Sequence, residues 1–475
     1  MQNKSIWCDY YDDITYDSLN TDLDLDIAII GGGITGLSVG YFLLNSYYKV
    51  GLFEKEKIGS GTTSKTTGKI TYMQENILSK IKKTRNISTA KKYYDSQKYA
   101  IDLLINIINK NEIKCDILKT NGYFFTTNKK DIKKIKEEEK LLLDFNEKIR
   151  RVNKLPDGLK IYYGISGENS YQFNPIKYVN KLKTLIDSKI EIYENSKVTT
   201  IEHDKEKFIL TINNKRVTAK YLVVASHYPF FLFPYLMPLK CSLEKSFIGC
   251  YLDKSKLNFN AISTKNPLLS LRYVEGNKKR YKLILTNSCN LNFCQNDLNN
   301  FQVLLNYKPK YLWSNIDIIT KDYMPYIGEI EKNMFIATGY NTWGMANSTL
   351  AGKIISDLIL KHDNEFATLF SPKRVNFKTI IKYPLYMITN AYAYLNSKII
   401  KKNNIIYKNI EGVNVAIYKD EEGIKHIVKN KCPHLGCSLL FNEVEKTWDC
   451  PCHASRFDID GHVLMGPSNY DISFK

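Results

Sequence analysis

The chain has 475 residues, too many for one compact core, so two or more domains are expected. Hydrophobic residues at 44% and aromatics at 12% suit a globular protein and exclude extensive disorder. A net charge of +19 raises nucleic acid or an anionic membrane as partners, but the lysines are scattered, which argues against nucleic-acid binding.

The opening stretch, MQNKSIWCDYYDDITYDSLN, carries acids and lacks an apolar centre, so no signal peptide is expected. No apolar run reaches the length that spans a bilayer, so no transmembrane segment is expected either. Six cysteines (Cys8, Cys115, Cys241, Cys250, Cys289, Cys294) are dispersed and read as free thiols. A soluble, cytoplasmic protein is the expectation.

Residues 25–56, LDIAIIGGGITGLSVGYFLLNSYYKVGLFEKE, run from an apolar strand into Gly31-x-Gly33-x-x-Gly36, a helical pattern, and a second strand ending at Glu54. Gly31 suits the tight turn, Gly33 lets the backbone approach a pyrophosphate, and Gly36 permits close packing of helix on strand. The helix N-terminus stabilises phosphate charge, and Glu54 can accept hydrogen bonds from ribose hydroxyls. A dinucleotide site follows, but the motif does not separate FAD from NAD.

The next segment, KIGSGTTSKTTGKIT (57–71), is a Gly/Ser/Thr-rich loop with many donors for phosphate. Segments 88–114 and 130–152 read as helices with solvated, charged faces. LLSLRYVEGNKKRYKLILTN (268–287) reads as a hairpin around a Gly-Asn turn. NMFIATGYNTWGMANSTLAGKIISDLIL gives a strand, a glycine turn and a helix from about Met345 to Lys361. Such a late helix N-terminus can aim its dipole at a flavin ring, although an ordinary strand–turn–helix unit would look the same.

Taken together, these segments resemble the D-amino-acid oxidase and glycine oxidase (DAO) family of FAD enzymes over about residues 24–365. YQFNPIKYVNKL (171–182), SKVTTIE (196–202) and YLVVASHYP (221–229) extend the likeness. It implies an α/β architecture: a Rossmann-like FAD domain assembled from separated stretches, with an inserted antiparallel-sheet substrate domain mainly in 235–325. The cofactor residues it implies are Gly31, Gly33, Gly36, Glu54, Lys55, Thr62, Thr63, Val198, Gly339, Gly344 and Met345, with the Val198 backbone facing adenine. Family members take hydride from the carbon beside an amine, so a small-molecule amine or amino acid is the expected substrate. Arg272 is the candidate to hold a substrate carboxylate, the alternative being an exposed strand arginine. Some relatives tether FAD through Cys or His; neither GTTSKTTGKIT nor TGYNTWGM contains one, so non-covalent FAD is expected.

Residues 366–403 read as a linker, with a helix from Pro384 through Ile399 that bridges domains or, alternatively, touches a membrane surface. From 404 to 475, short β-like runs suggest a small all-β domain. It crowds four cysteines between Cys432 and Cys452, as Cys432-x-His434 with Cys437 and Cys450-x-Cys452-His453. Zinc is one reading; the tight C-x-H spacing and the two surplus cysteines count against it. CPHLGC and CPCHASRFD are similar to Rieske proteins of the cytochrome bc type. That resemblance implies one [2Fe–2S] cluster, with Cys432 and Cys450 on one iron and His434 and His453 on the other. It further implies a Cys437–Cys452 disulfide, a hydroxyl donor at Ser455, and a third covering loop at GPSN (466–469). Phe457 stands where many members carry a tyrosine donor, which implies a lowered potential.

The expected function is oxidation of a C–N bond, with electrons passing from flavin to cluster and on to an external acceptor. The alternatives are a peroxide-releasing oxidase with a structural or sensing cluster, and a non-enzymatic relay.

Overall fold

The computed structural model describes residues 4–204, 206–228, 240–265, 268–276, 279–290, 309–375, 405–443, 445–452, 455–466 and 470–474, with 392, 394, 395, 397–399 and 468. The first sheet has a parallel core. Leu23–Ile30 lies centrally, flanked by Val50–Phe53 and Lys215–Val224; Ile190–Tyr193 and Met334–Thr338 extend it. Its central strands are apolar on both faces because helices cover one side and the hairpin Val198–Asp204/Lys207–Ile212 helps cover the other. The register sets Ile30 beside Phe53 and Val224, so three strand ends open at one edge. That edge, at the carboxyl ends of parallel strands, is where open α/β sheets form a crevice.

Among the described residues, the second sheet has nine strands. Five lie in the expected region: Cys241–Leu252, Asn260–Ser263, Leu269–Gly276, Lys279–Asn290 and Tyr311–Thr320. The other four, Lys69–Ile70, Leu118–Thr126, Ile149–Lys154 and Lys160–Gln172, come from before residue 175. Asn260–Ser263 pairs in parallel with Leu118–Thr126, so the sheet is mixed rather than antiparallel throughout. The hairpin across 268–287 forms, with Leu271 opposite Ile284. The helix Ile87–Lys110 also matches its segment, whereas 130–152 divides. The helix Ile132–Asp144 stops because Asn146 takes a left-handed φ of 62°, and Ile149–Lys154 continues as a strand.

The terminal module holds two small antiparallel sheets, Ile405–Ile410/Val413–Lys419/Lys425–Lys429 and Leu440–Asn442/Thr447–Asp449/Arg456–Phe457/Val463–Met465. Its core gathers Trp448, Phe441, Phe457 and Val428 around four buried cysteines. Most of the segment expected to form a helix from Pro384 lies outside the described residues. Among the described residues, no helix is long and apolar enough to cross a membrane.

Candidate functional site

The strand-to-helix turn is built on close backbone approach. Gly31 has φ +107°, and a Cβ there would lie 2.7 Å from the Ala225 carbonyl oxygen. A Cβ on Gly36 would stand 2.0 Å from the Gly31 oxygen, so helix Ile34–Leu43 can sit on its strand only with hydrogen there. Gly33 is the N-cap and supplies no side-chain cap, leaving the helix N-terminus open. Thr63 Oγ1 accepts from the Ile34 N–H at 3.3 Å. The Glu54 carboxylate accepts from the Gly32 N–H at 2.8 Å and the Glu56 N–H at 3.0 Å. Burial raises its pKa, and these two donors oppose the rise.

A cavity of about 1670 Å³, counted to its open mouth, runs from this turn across the sheet edge. Gly31, Gly33, Glu54, Lys55, Thr62, Thr63, Val198, Gly344 and Met345 all line it. Helix Gly344–Ile359 also begins at the cavity, and it too lacks a side-chain cap. Two helix N-termini whose N-cap residues offer no side-chain acceptor, with Lys55 and Lys65 beside them, suit the charge and length of a dinucleotide with a pyrophosphate. Gly36 lies behind the lining, and Gly339 ends the preceding strand against Thr320. Ser196, Lys197, His227, Tyr228 and Tyr340 also line it; they fall in the segments SKVTTIE, YLVVASHYP and TGYNTWGM, although none is singled out there as a cofactor residue.

A second cavity, of about 720 Å³ to its mouth, lies beside the first against the second sheet. Residues 340–345 and the loop 62–69 wall both, Tyr340 and Gly344 on one side and Asn341 and Trp343 on the other. Lys80 pairs with Glu75 at 3.7 Å, and Lys265 with Glu244 at 2.5 Å. Lys69 instead donates to the Ala261 carbonyl at 2.7 Å and to Ser270 Oγ at 2.6 Å. Burial, then the charge of Arg272, drives the Lys69 pKa well below the ordinary lysine range. Sequence reading passed over Lys69 because its burial depends on strands supplied from residues 260–270.

Arg272, expected on a substrate carboxylate, lines neither cavity. It is fully enclosed; its guanidinium donates to the carbonyls of Thr67 and Phe173 and stacks 5.1 Å from the Trp7 ring. Its cation therefore stitches loop to sheet, and is not an exposed strand arginine either.

In the terminal module, two loops approach each other. The Cys432 N–H donates to the Cys437 carbonyl at 2.8 Å, closing one loop, and the Cys450 N–H donates to the Ser455 carbonyl at 2.8 Å, closing the other. Cys437 and Cys452 are disulfide-bonded. Among the described residues, the Cys437, Cys450 and Cys452 sulfurs lie within 4.8 Å of one another. That leaves Cys432 and Cys450 as thiols for a metal. The Cys450 side chain hydrogen-bonds Cys432, the largest of the effects that bring Cys432 down to about 7. Two adjacent thiols, with the half-buried His434 two residues from the first, fit a mixed Cys/His iron–sulfur donor set. His453, Pro467 and Asn469 lie outside the described residues. Ser455 is buried, its hydroxyl bonded to Cys432 and accepting from the Ser468 N–H at 3.0 Å. Phe457 is fully buried.

The module rests on the larger cavity. Arg456, Val463, Leu464, Met465, Gly466 and Ser468 line it from the opposite side. Tyr228 joins that wall; burial, then the thiols of Cys241 and Cys450, push its hydroxyl above the ordinary range. No local signal predicts this contact, because the two faces are over a hundred residues apart.

Residues 26–241 match the DAO family model, FAD dependent oxidoreductase, and residues 390–473 match the Rieske [2Fe-2S] domain. The chain is 28% identical to "Putative Rieske 2Fe-2S iron-sulfur protein YhfW" of Bacillus subtilis (strain 168), covering 98% of this chain and 96% of that one. It is 24% identical to gamma-glutamylputrescine oxidoreductase of Escherichia coli (strain K12), over 72% of this chain and 85% of the relative. Among solved structures, glycine oxidase from Geobacillus kaustophilus superposes with a TM-score of 0.61 at 19% identity, over 74% of this chain and 99% of that one, which shows a shared fold.

Proposed function

We propose, for a chain that carries an N-terminal DAO-type FAD-dependent oxidoreductase domain and a C-terminal Rieske [2Fe–2S] domain, that it dehydrogenates a carboxylate-bearing amine and delivers the electrons to an external acceptor through the cluster. When bound, FAD supplies a two-electron acceptor and the cluster a one-electron carrier. The observation that carries this reading is the shared wall. Ser468 faces the cofactor cavity and donates to Ser455, whose hydroxyl meets the Cys432 sulfur. Tyr228 faces the same cavity and lies within electrostatic reach of Cys450. The cluster ligands thus stand directly behind the cofactor wall, where transfer needs no domain movement.

The adjoining cavity is the substrate chamber in this reading, with Trp343, Tyr323 and Leu268 supplying apolar wall and Lys69 a buried cation. Glycine and gamma-glutamylputrescine, the amines in the relatives' names, both pair an amine with a carboxylate, the chemistry that Lys69 complements. The residues of the chamber exclude water and position the amine against the 340–345 loop.

Anaerobic mixing with candidate amines tests the proposal. Bleaching of flavin absorbance followed by the paramagnetic signal of a reduced cluster is the expected sequence. Bleaching with a cluster that stays oxidised would leave a peroxide-releasing oxidase, and no bleaching with any amine would remove the dehydrogenase altogether.

A further inference from the structure

The larger cavity is not closed by its own domain. One wall is the glycine turn, Glu54 and Lys55, and the start of helix Gly344–Ile359; the facing wall belongs to the terminal module. We propose that the Rieske domain forms half of the FAD site, with Arg456 and the strand Val463–Met465 closing over the dinucleotide and a buried ion-pair network latching them in place. This rests on FAD occupying that cavity.

Three observations converge. The Lys55 ammonium donates to the Leu464 carbonyl, tying the strand beside the residue that follows Glu54. Met465 packs on the apolar cluster that includes Phe53 and Val198, and Phe53, Val198 and Met465 all line the cavity. At the other end, Lys245 pairs with Asp449 at 2.9 Å, both side chains 5% exposed. Ser314 donates to Glu445, and Lys65 approaches it at 3.8 Å. Arg456 bonds Glu445, Asp449 (3.0 Å) and Thr447 (3.0 Å) while facing the cavity.

The charges explain why such a network would form around an anionic ligand. Lys65, Lys245 and Arg456 gather around the carboxylates of Glu445 and Asp449, with Glu56 also acting on Lys65, so cations are concentrated along this side of the cavity. Burial lowers the Lys65 pKa, a cost that a pyrophosphate alongside would offset. A dinucleotide seated between the two walls then contributes to holding the domains together, and the docked domain blocks its exit.

The test is the rate of FAD release from full-length protein on dilution, followed by flavin fluorescence. Lys245 lines neither cavity, so Lys245→Met weakens the latch without touching the cofactor. Release should quicken roughly tenfold or more, with the cluster's paramagnetic spectrum unchanged, since losing one partner of a buried pair acts mainly on dissociation. Lys245→Arg should restore slow release. Release from Lys245→Met within about twofold of the parent would overturn the proposal. Should Lys245→Met fail to fold, Ser314→Ala removes only the hydroxyl that reaches Glu445; unchanged release there would overturn it equally. These rates need neither substrate nor cluster reduction, so the proposal can fail while the electron-transfer reading stands, and the reverse.

Discussion

Lys69 Nζ donates to Ser270 Oγ at 2.6 Å, joining the short strand Lys69–Ile70 to a strand 201 residues further along the chain. The contact places a buried amine in the wall of the smaller cavity, bonded to a carbonyl and a hydroxyl and, among the described residues, to no carboxylate.

Lys69→Met should therefore raise KM for a carboxylate-bearing amine roughly ten- to hundredfold, the worth of a hydrogen bond to a charged group, while an analogue without the carboxylate changes little. The pH dependence has a definite sign. The ammonium binds carboxylate, and burial depresses its pKa, so KM should climb as pH rises through that lowered value. Steady-state kinetics across pH with both amines check this; equal effects on the two would remove Lys69 from carboxylate binding.

Arg272 should behave as a structural residue. Arg272→Met leaves the carbonyls of Thr67 and Phe173 without their donor. A loss of about 2–4 kcal/mol in stability is expected, read by denaturant unfolding. KM of the folded variant should remain within roughly twofold of the parent; a larger change would return Arg272 to the site.

Gly36→Ala forces a methyl to within 2.0 Å of a backbone oxygen. Neither atom belongs to a flexible side chain, so the helix must lift from its strand at about 1–3 kcal/mol. On the reading that this helix N-terminus holds the phosphates, FAD titration should show weakened binding. Undiminished affinity would mean that the phosphates bind elsewhere.

The docking of the terminal module should be acid-sensitive. Burial by itself would raise the Glu445 pKa, yet Arg456, then Lys65, hold it down to about 2, against an ordinary 4.5. A depressed folded-state pKa gives stability that is present above 4.5 and lost as pH falls toward 2; the linkage amounts to about 3 kcal/mol. Limited proteolysis of the full-length chain over this range should show progressive release of the terminal module. Glu445→Gln should be easier to cleave at neutral pH and flatter in its pH response.

Phe457→Tyr adds a donor in the apolar core around the cysteine loops. If the hydroxyl reaches a ligand sulfur it stabilises the reduced, more negative cluster, so the midpoint potential should rise. Redox titration of the cluster signal measures this, and an unaltered or lowered potential would show that position 457 does not face a ligand.

Much was legible locally. The dinucleotide turn and the cysteine–histidine loops are short-range patterns whose geometry depends on neighbours in sequence, such as Gly36 against Gly31 or the Cys432 N–H against the Cys437 carbonyl. The helix Gly344–Ile359 and the hairpin across 268–287 follow from periodicity and turn chemistry in the same way. Arg272 was misread because its strand pattern says that it is on a sheet, and nothing local says that Thr67 and Phe173 close over it.

What the sequence determined by itself was the chemistry: a FAD-dependent oxidoreductase domain in front and a Rieske domain behind, each written in contiguous motifs. Only the tertiary structure decided their relation. Lys69 became a buried amine when strands from distant segments formed one sheet, and Arg456 became a wall of the cofactor cavity when charges on Lys65 and Lys245 met Glu445 and Asp449. Burial and charge pairing are properties of surfaces brought together by the whole fold, so residues that look like ordinary solvated lysines in the chain are set apart only where distant segments exclude water around them.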